Sequence, residues 1–233
     1  MSPLAAGAGL FALGALLGAD QVAGPQWMLA QPVVAGALGG LACGQPQLGL
    51  LVGVWMQLAW NGAVPVGSRP TPDTSGGVLA GVVAGSQLLP AEGPLRAAVA
   101  GLLVALLAGW AGIWPAFWNR RLNARWTAWA LAGADEAHRA RRVEAAQRWA
   151  WLAAAALSGA WVLLAAVAGT GLGRAVLRWI PDSGGRGGAL VALGWGLGVG
   201  GALLTFRGEL RRDWAWLVGG AAAAGALKLA GAY

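Results

Sequence analysis

Residues 31–62 read QPVVAGALGGLACGQPQLGLLVGVWMQLAWNG, and none of them carries a charge. Working outward, the only charged side chains between Met1 and Ala91 are Asp20, Arg69 and Asp73, so fifteen of the sixteen basic residues come later. A stretch of that length with three charges is hard to keep in water and easy to bury in lipid. The whole chain of 233 residues is 58% hydrophobic and 11% charged. A soluble domain uses roughly a quarter of its residues as charges to cover its surface. The mean hydropathy of +0.60 points the same way. The reading is an all-α membrane protein, a multi-span helical bundle.

Apolar runs fall at about 4–19, 33–56, 76–90, 95–117, 149–169, 187–206 and 214–231. A helix crossing the hydrocarbon core needs about 20 residues. The runs at 95–117, 149–169 and 187–206 meet that length. The first is short, and 76–90 crosses only if tilted, re-entrant or joined to its neighbour. Re-entrant or broken helices are tolerated where protein or a water-filled cavity covers the backbone, which makes them a pointer to a transport site. Gly36, Gly40 and Gly44, then Gly49 and Gly53, recur every four residues and offer a flat stripe where another helix can approach. Met1-Ser2-Pro3 has no basic leader, and the run from Leu4 to Ala19 reaches Asp20 without a processing site, so it reads as a retained first span or half-span. The chain divides into an N-terminal membrane region (1–92) holding a candidate site loop, a span (93–118), a basic segment (119–148) and a C-terminal membrane region (149–233).

The net charge of +7 does not imply nucleic acid, because the arginines cluster between apolar runs, as topology-setting charges do. Seven of them, Arg120, Arg121, Arg125, Arg139, Arg141, Arg142 and Arg148, lie between Asn119 and Arg148 against Asp135, Glu136 and Glu144. That imbalance marks the segment as cytoplasmic. Trp118, Leu122, Trp126 and Trp129 recur there at helical spacing, the pattern of an amphipathic helix lying in the membrane interface or docking a partner. The arginines on either side of 187–206 balance, so orientation of the termini stays open. Among the fifteen tryptophans, Trp110, Trp114 and Trp118, spaced by four, and the pairs Trp149 and Trp151, and Trp214 and Trp216, at span ends, suit the headgroup level. Cys43 and His138 are each the only residue of their type, so neither a disulfide nor a metal cluster is expected, and no cofactor is implied. The glycines from Gly169 to Gly173 lack both a preceding strand and the full nucleotide-loop spacing, and no catalytic Ser/His pair or zinc motif is present.

Polar chemistry concentrates after the quoted stretch, in Gln57, Trp60 and Asn61, then Ser68, Arg69, Thr71 and Asp73. If the helix persists, Gln57 and Asn61 share a face bordered by Trp60. Two amides beside an indole suit a sugar: the amides meet hydroxyls and the ring covers an apolar C–H face. Polar groups at membrane depth are expensive and are functional by default; an exposed loop whose polar residues face water is the alternative. Pro65, Pro70 and Pro72 end any helix and hold the backbone extended.

The run from Gln31-Pro32 through Gly36, Gly40, Gly44, Gly49 and Gly53, followed by Pro65-Val66-Gly67 and by Pro70-Thr71-Pro72-Asp73, resembles the IIC subunit of mannose/fructose/sorbose-type phosphotransferase permeases. Asp20, an acidic residue closing the first apolar segment, is similar as well. The likeness is close over about 4–90; beyond that only the pattern of spans is similar. Gln31, Gln45 and Gln57 stand where the family usually has arginine, aspartate and glutamate, and an amide cannot carry charge or act as a base. The resemblance implies a channel subunit that binds a hexose-type sugar at Gln57, Trp60, Asn61, Ser68, Arg69, Thr71 and Asp73, with Asp20 a further candidate. Gly62, Pro65, Gly67 and Pro72 would sit near its hinge. It also implies a multi-pass place in the bacterial inner membrane, contact with membrane lipid, a IID membrane subunit as partner, soluble IIA and IIB phosphocarriers, and a homotrimeric or hetero-oligomeric assembly. A transport-inactive anchor or sensor for phosphotransferase proteins is the alternative that the three glutamines favour.

Overall fold

A computed structural model describes residues 3–22, 27–60, 72–132, 135–178 and 196. The expected spans at 187–206 and 214–231 lie outside this set, apart from Gly196. The described chain is all-α: α1 (Pro3–Val22), α2 (Pro32–Ala42), α3 (Pro46–Trp60), α4 (Thr74–Ala111), α5 (Ile113–Leu131) and α6 (Glu136–Leu177), with no strand among the described residues. Three helical stretches, Leu4–Gln21, Thr74–Leu131 and Glu136–Leu177, are long and apolar enough to cross a membrane.

The quoted stretch is a hairpin of two helices. Gly44 takes a positive φ of 68°, which favours glycine, and Pro46 opens α3, where the lack of an N–H costs nothing. The glycines then let α2 and α3 touch along their backbones. A Cβ on Gly49 would run into the Gly36 carbonyl oxygen and lie 2.5 Å from Gly40 Cα; one on Gly53 would lie 2.7 Å from the Pro32 oxygen. The small-residue stripe thus meets the other half of its own apolar run. In lipid, where burying hydrocarbon gains nothing, such close packing is a main source of helix affinity.

A second hairpin lies within α4. A straight helix would hold Asp73 and Gly109 about 54 Å apart, yet the Asp73 N–H donates to the Gly109 carbonyl at 3.0 Å. The chain reverses at Gly93 (φ 77°, ψ 167°), between Pro90 and Pro94. The two limbs, 74–92 and 94–111, pack through Gly77 against Gly109 and Gly81 against Gly101 and Ala105. The run at 76–90 is therefore joined to its neighbour at 95–117 as a helical hairpin. Arg96 holds the tip, pairing with Glu92 at 3.2 Å and donating to the Leu177 carbonyl at 3.0 Å.

Three contacts set α6 antiparallel to the second limb of α4: Gly112 by Trp161, Gly169 by Val104, and Arg96 by Leu177. Helix α1 also runs antiparallel to α6, with Gly14 against Val162 and Gly18 against Ser158. Trp55, Met56, Val52, Leu79, Val99 and Leu102 are fully buried at the centre. The boundaries at 118/119 and 148/149 that charge suggests fall inside continuous helices: α5 starts at Ile113, and α6 runs unbroken for 42 residues. At about 63 Å, α6 exceeds the roughly 30 Å hydrocarbon core, so its charged first turns extend beyond it beside α5.

Candidate functional site

The second limb of α4 passes into α5 at Gly112 (φ −61°, ψ −8°), the one residue between them. Pro115 has no N–H to donate back to Ala111, which weakens the helical ladder at this point. A Cβ on Gly112 would stand 2.6 Å from Asp73 Cβ and 3.2 Å from Trp161 Nε1, so glycine is what lets Asp73 approach the α4–α5 junction. Asp73 caps α4: its Oδ1 accepts from the Gly76 N–H at 2.8 Å and from the Ser75 hydroxyl at 3.0 Å. The carboxyl thereby sits at the N-terminal end of α4, where it satisfies a backbone N–H that the helix itself leaves unpaired.

A cavity of about 270 Å³ opens at this junction, lined by Gly18 and Gln21 of α1, Asp73 at the start of α4, Gly112, then Asn119, Arg120 and Asn123 of α5, and Ser158 of α6. Asn119 is 7% exposed and Asp73 8%, although both line the cavity. The side-chain oxygens of Asn119 and Asn123 are buried and find no hydrogen-bond partner among the described residues, and the same holds for the neighbouring Trp161 N–H. Buried polar groups are nearly always paired, and each one left unpaired costs about 1–3 kcal/mol. Two unpaired amide oxygens, a carboxylate, a hydroxyl and a guanidinium around one small volume are suited to a ligand rich in groups that both donate and accept. A second cavity of about 270 Å³ shares Asn123 and lies between α5 and α6, against Trp126, Thr127 and Gln147.

Of the residues expected at a site from sequence, Asp73 lines the cavity. Pro72 directly precedes it, and its carbonyl accepts from the Thr74 N–H. Gln57 lines neither cavity; its Oε1 accepts from the Val33 N–H at 3.4 Å and braces the first turn of α2. Trp60 packs against the core, with its indole N–H buried and without a partner among the described residues. Asp20 is buried and accepts from the backbone N–H groups of Trp27 (2.6 Å) and Ala30 (3.3 Å), tying the α1–α2 link to the end of α1. Asn61, Gly62, Pro65, Gly67, Ser68, Arg69 and Thr71 lie outside the described residues. Asn119, Asn123 and Ser158 are cavity residues that reading the sequence does not single out. Their signal is faint: two asparagines four apart, one turn past a proline inside an apolar helix, share a face.

No curated protein shows significant similarity to the chain. A family model described as the sorbose-specific IIC component of the PTS (phosphotransferase) system matches residues 6–207. That match takes in α1 to α6, both hairpins and every residue lining the cavity. The match covers most of the chain, and the chain belongs to the family of sorbose-specific IIC components of the sugar phosphotransferase system.

Proposed function

We propose that the chain is the translocating and sugar-selecting subunit of a phosphotransferase permease, and that the cavity beside Gly112 binds a hexose-type sugar. The observation that carries this reading is the convergence of Asp73 with two buried, unpartnered amide oxygens, Asn119 and Asn123, in one cavity of a membrane-embedded helical protein. Sugar hydroxyls would donate to the amide oxygens and to Asp73 and accept from Ser158 and Arg120. Gln57 braces α2 in this scheme, and Asp20 holds the α1–α2 link. Asn61, Ser68, Arg69 and Thr71 belong to the segment entering Asp73, and Gly62, Pro65, Gly67 and Pro72 are its hinge candidates.

In this reading the protein lies in the bacterial inner membrane, works with a IID subunit in an oligomer, and passes the sugar to a soluble IIB protein. IIB carries phosphohistidine charged by IIA, so the chain needs no phosphorylated residue of its own. Movement about the Gly112 junction would expose the site to each side in turn, as in transporters whose sites are built from interrupted helices.

Asp73→Asn tests the assignment, because asparagine caps a helix about as well as aspartate but carries no charge. In cells co-expressing this chain with its partner subunits, the variant should reach wild-type abundance in the membrane. Sugar uptake should drop roughly 10- to 150-fold, the effect of losing a charged hydrogen bond of about 1.5–3 kcal/mol. Wild-type uptake in the variant removes Asp73 from the site.

A further inference from the structure

Helix α5 continues along α6 in the register of the second limb of α4, with one long face exposed. At 100° per residue, Trp114, Trp118, Arg121, Arg125 and Trp129 fall within an arc of about 80°. Trp114 is 67% exposed, Trp118 52% and Trp129 44%, and both arginines are exposed as well. No acidic residue occurs in α5. Two guanidiniums lie over rings here: Arg121 is 4.5 Å from the centroid of the adjoining Phe117 and 5.5 Å from that of Trp118, and Arg142, reaching across from α6, is 5.2 Å from that of Trp129. Stacking holds a guanidinium flat while leaving N–H groups at its edge for an oxyanion.

The level of this face in the bundle says what covers it. Trp126 and Gln147 line one cavity, and Asn119 and Ser158 line the other. Arg121 and Arg125 therefore stand beside the point where α6 changes from its charged first turns, ending at Arg148, to its apolar length, beginning with exposed Trp149 and Trp151. That change marks the boundary between headgroups and hydrocarbon, where tryptophan settles and arginine reaches phosphate.

We infer that the α5 face, with Trp118, Arg121, Arg125 and Trp129 joined by Arg142, is a binding site for an anionic phospholipid, its phosphate held by the arginines and its upper acyl chain lying on the tryptophans. A soluble acidic partner would meet the charges but leave Trp114 and Trp118 in water, whereas lipid satisfies both.

Native mass spectrometry of the full chain tests the site, with phosphatidylglycerol and phosphatidylcholine of identical acyl chains offered in equal amounts. Wild-type protein should retain the anionic lipid about fivefold over the zwitterionic one or better, from an attraction of order fivefold per basic group at a charged surface. The variant R121Q/R125Q/R142Q should fall to parity, and R121K/R125K/R142K, which keeps the charges and loses the planar fork, should fall between. Inorganic phosphate at tens of millimolar should displace none of the lipid, since it lacks the chains. Equal retention of the two lipids by wild-type protein overturns the proposal, whatever the variants do. So does displacement by free phosphate, an unchanged preference in the glutamine variant, or capture of an acidic protein at this face in place of lipid.

Discussion

Replacing Asn119 by leucine separates a ligand-binding role from a structural one. The residue is 7% exposed, and its side-chain oxygen has no partner among the described residues. A buried acceptor left unpaired costs about 1–3 kcal/mol, and a shape-matched apolar replacement removes that cost. Leucine is close to asparagine in shape, so the sugar-free protein should gain about 1–2 kcal/mol. For a chain of this size each kcal/mol moves Tm by roughly 2–4 °C, which predicts a rise of about 2–8 °C. In the loaded state leucine leaves a sugar hydroxyl facing hydrocarbon, and the same 1–3 kcal/mol now opposes binding. Affinity should fall roughly 5- to 160-fold. The assay pairs uptake at sub-saturating sugar with thermal unfolding of purified, sugar-free protein in detergent. Greater stability with weaker transport is the trade-off typical of a functional polar group. If stability and uptake fall together, Asn119 serves the fold, and the reasoning from its unpaired oxygen is refuted.

Two further substitutions probe the hairpins. Gly49→Val pushes a side chain onto the backbone of Gly36 and Gly40, with no flexible neighbour to give way, and should cost about 3 kcal/mol or more, read as a Tm lower by roughly 6–12 °C; Gly9→Val, whose Cβ meets nothing within 4 Å, should leave Tm nearly unchanged. Gly93→Ala forces a side chain into a backbone conformation (φ 77°, ψ 167°) that is almost confined to glycine and should cost about 1–3 kcal/mol, measured in the same unfolding assay; an unchanged Tm means the chain does not reverse there.

The membrane class is readable directly from the three charges in the first 91 residues, because lipid imposes a compositional rule that needs no geometry. The places where helices break are readable in part. Gly44, Gln45 and Pro46 interrupt the run at 33–56, and a proline biases the preceding residue away from helix, yet an unbroken apolar window conceals the turn. Gly93, between Pro90 and Pro94, separates two runs that composition shows one by one; that they fold against each other depends on the glycines of both limbs meeting face to face. Asp73 is legible because it ends a proline-rich stretch and opens a helix. Asn119 and Asn123 are not, because their neighbours along the chain are arginines, and arginines there signal topology. Only the reversal at Gly93 carries these asparagines back to Asp73, about 46 residues earlier. Gln57 shows the converse: an amide at membrane depth attracts a functional reading, while in the fold its oxygen is taken by the Val33 N–H.

Substrate protection of a single thiol gives the most direct measurement of the site. Ser158 lines the cavity from α6, opposite Asp73 and Asn119, and Cys43 is the chain's only cysteine, so Cys43→Ser with Ser158→Cys places one reporter there. In membranes holding the active permease, a small water-soluble thiol reagent should modify this cysteine, and a saturating transported sugar should slow the reaction several-fold, while a sugar that is not transported should leave it unchanged. Modification at the same rate with and without the transported sugar, in a variant that still takes it up, places the sugar elsewhere and contradicts the account.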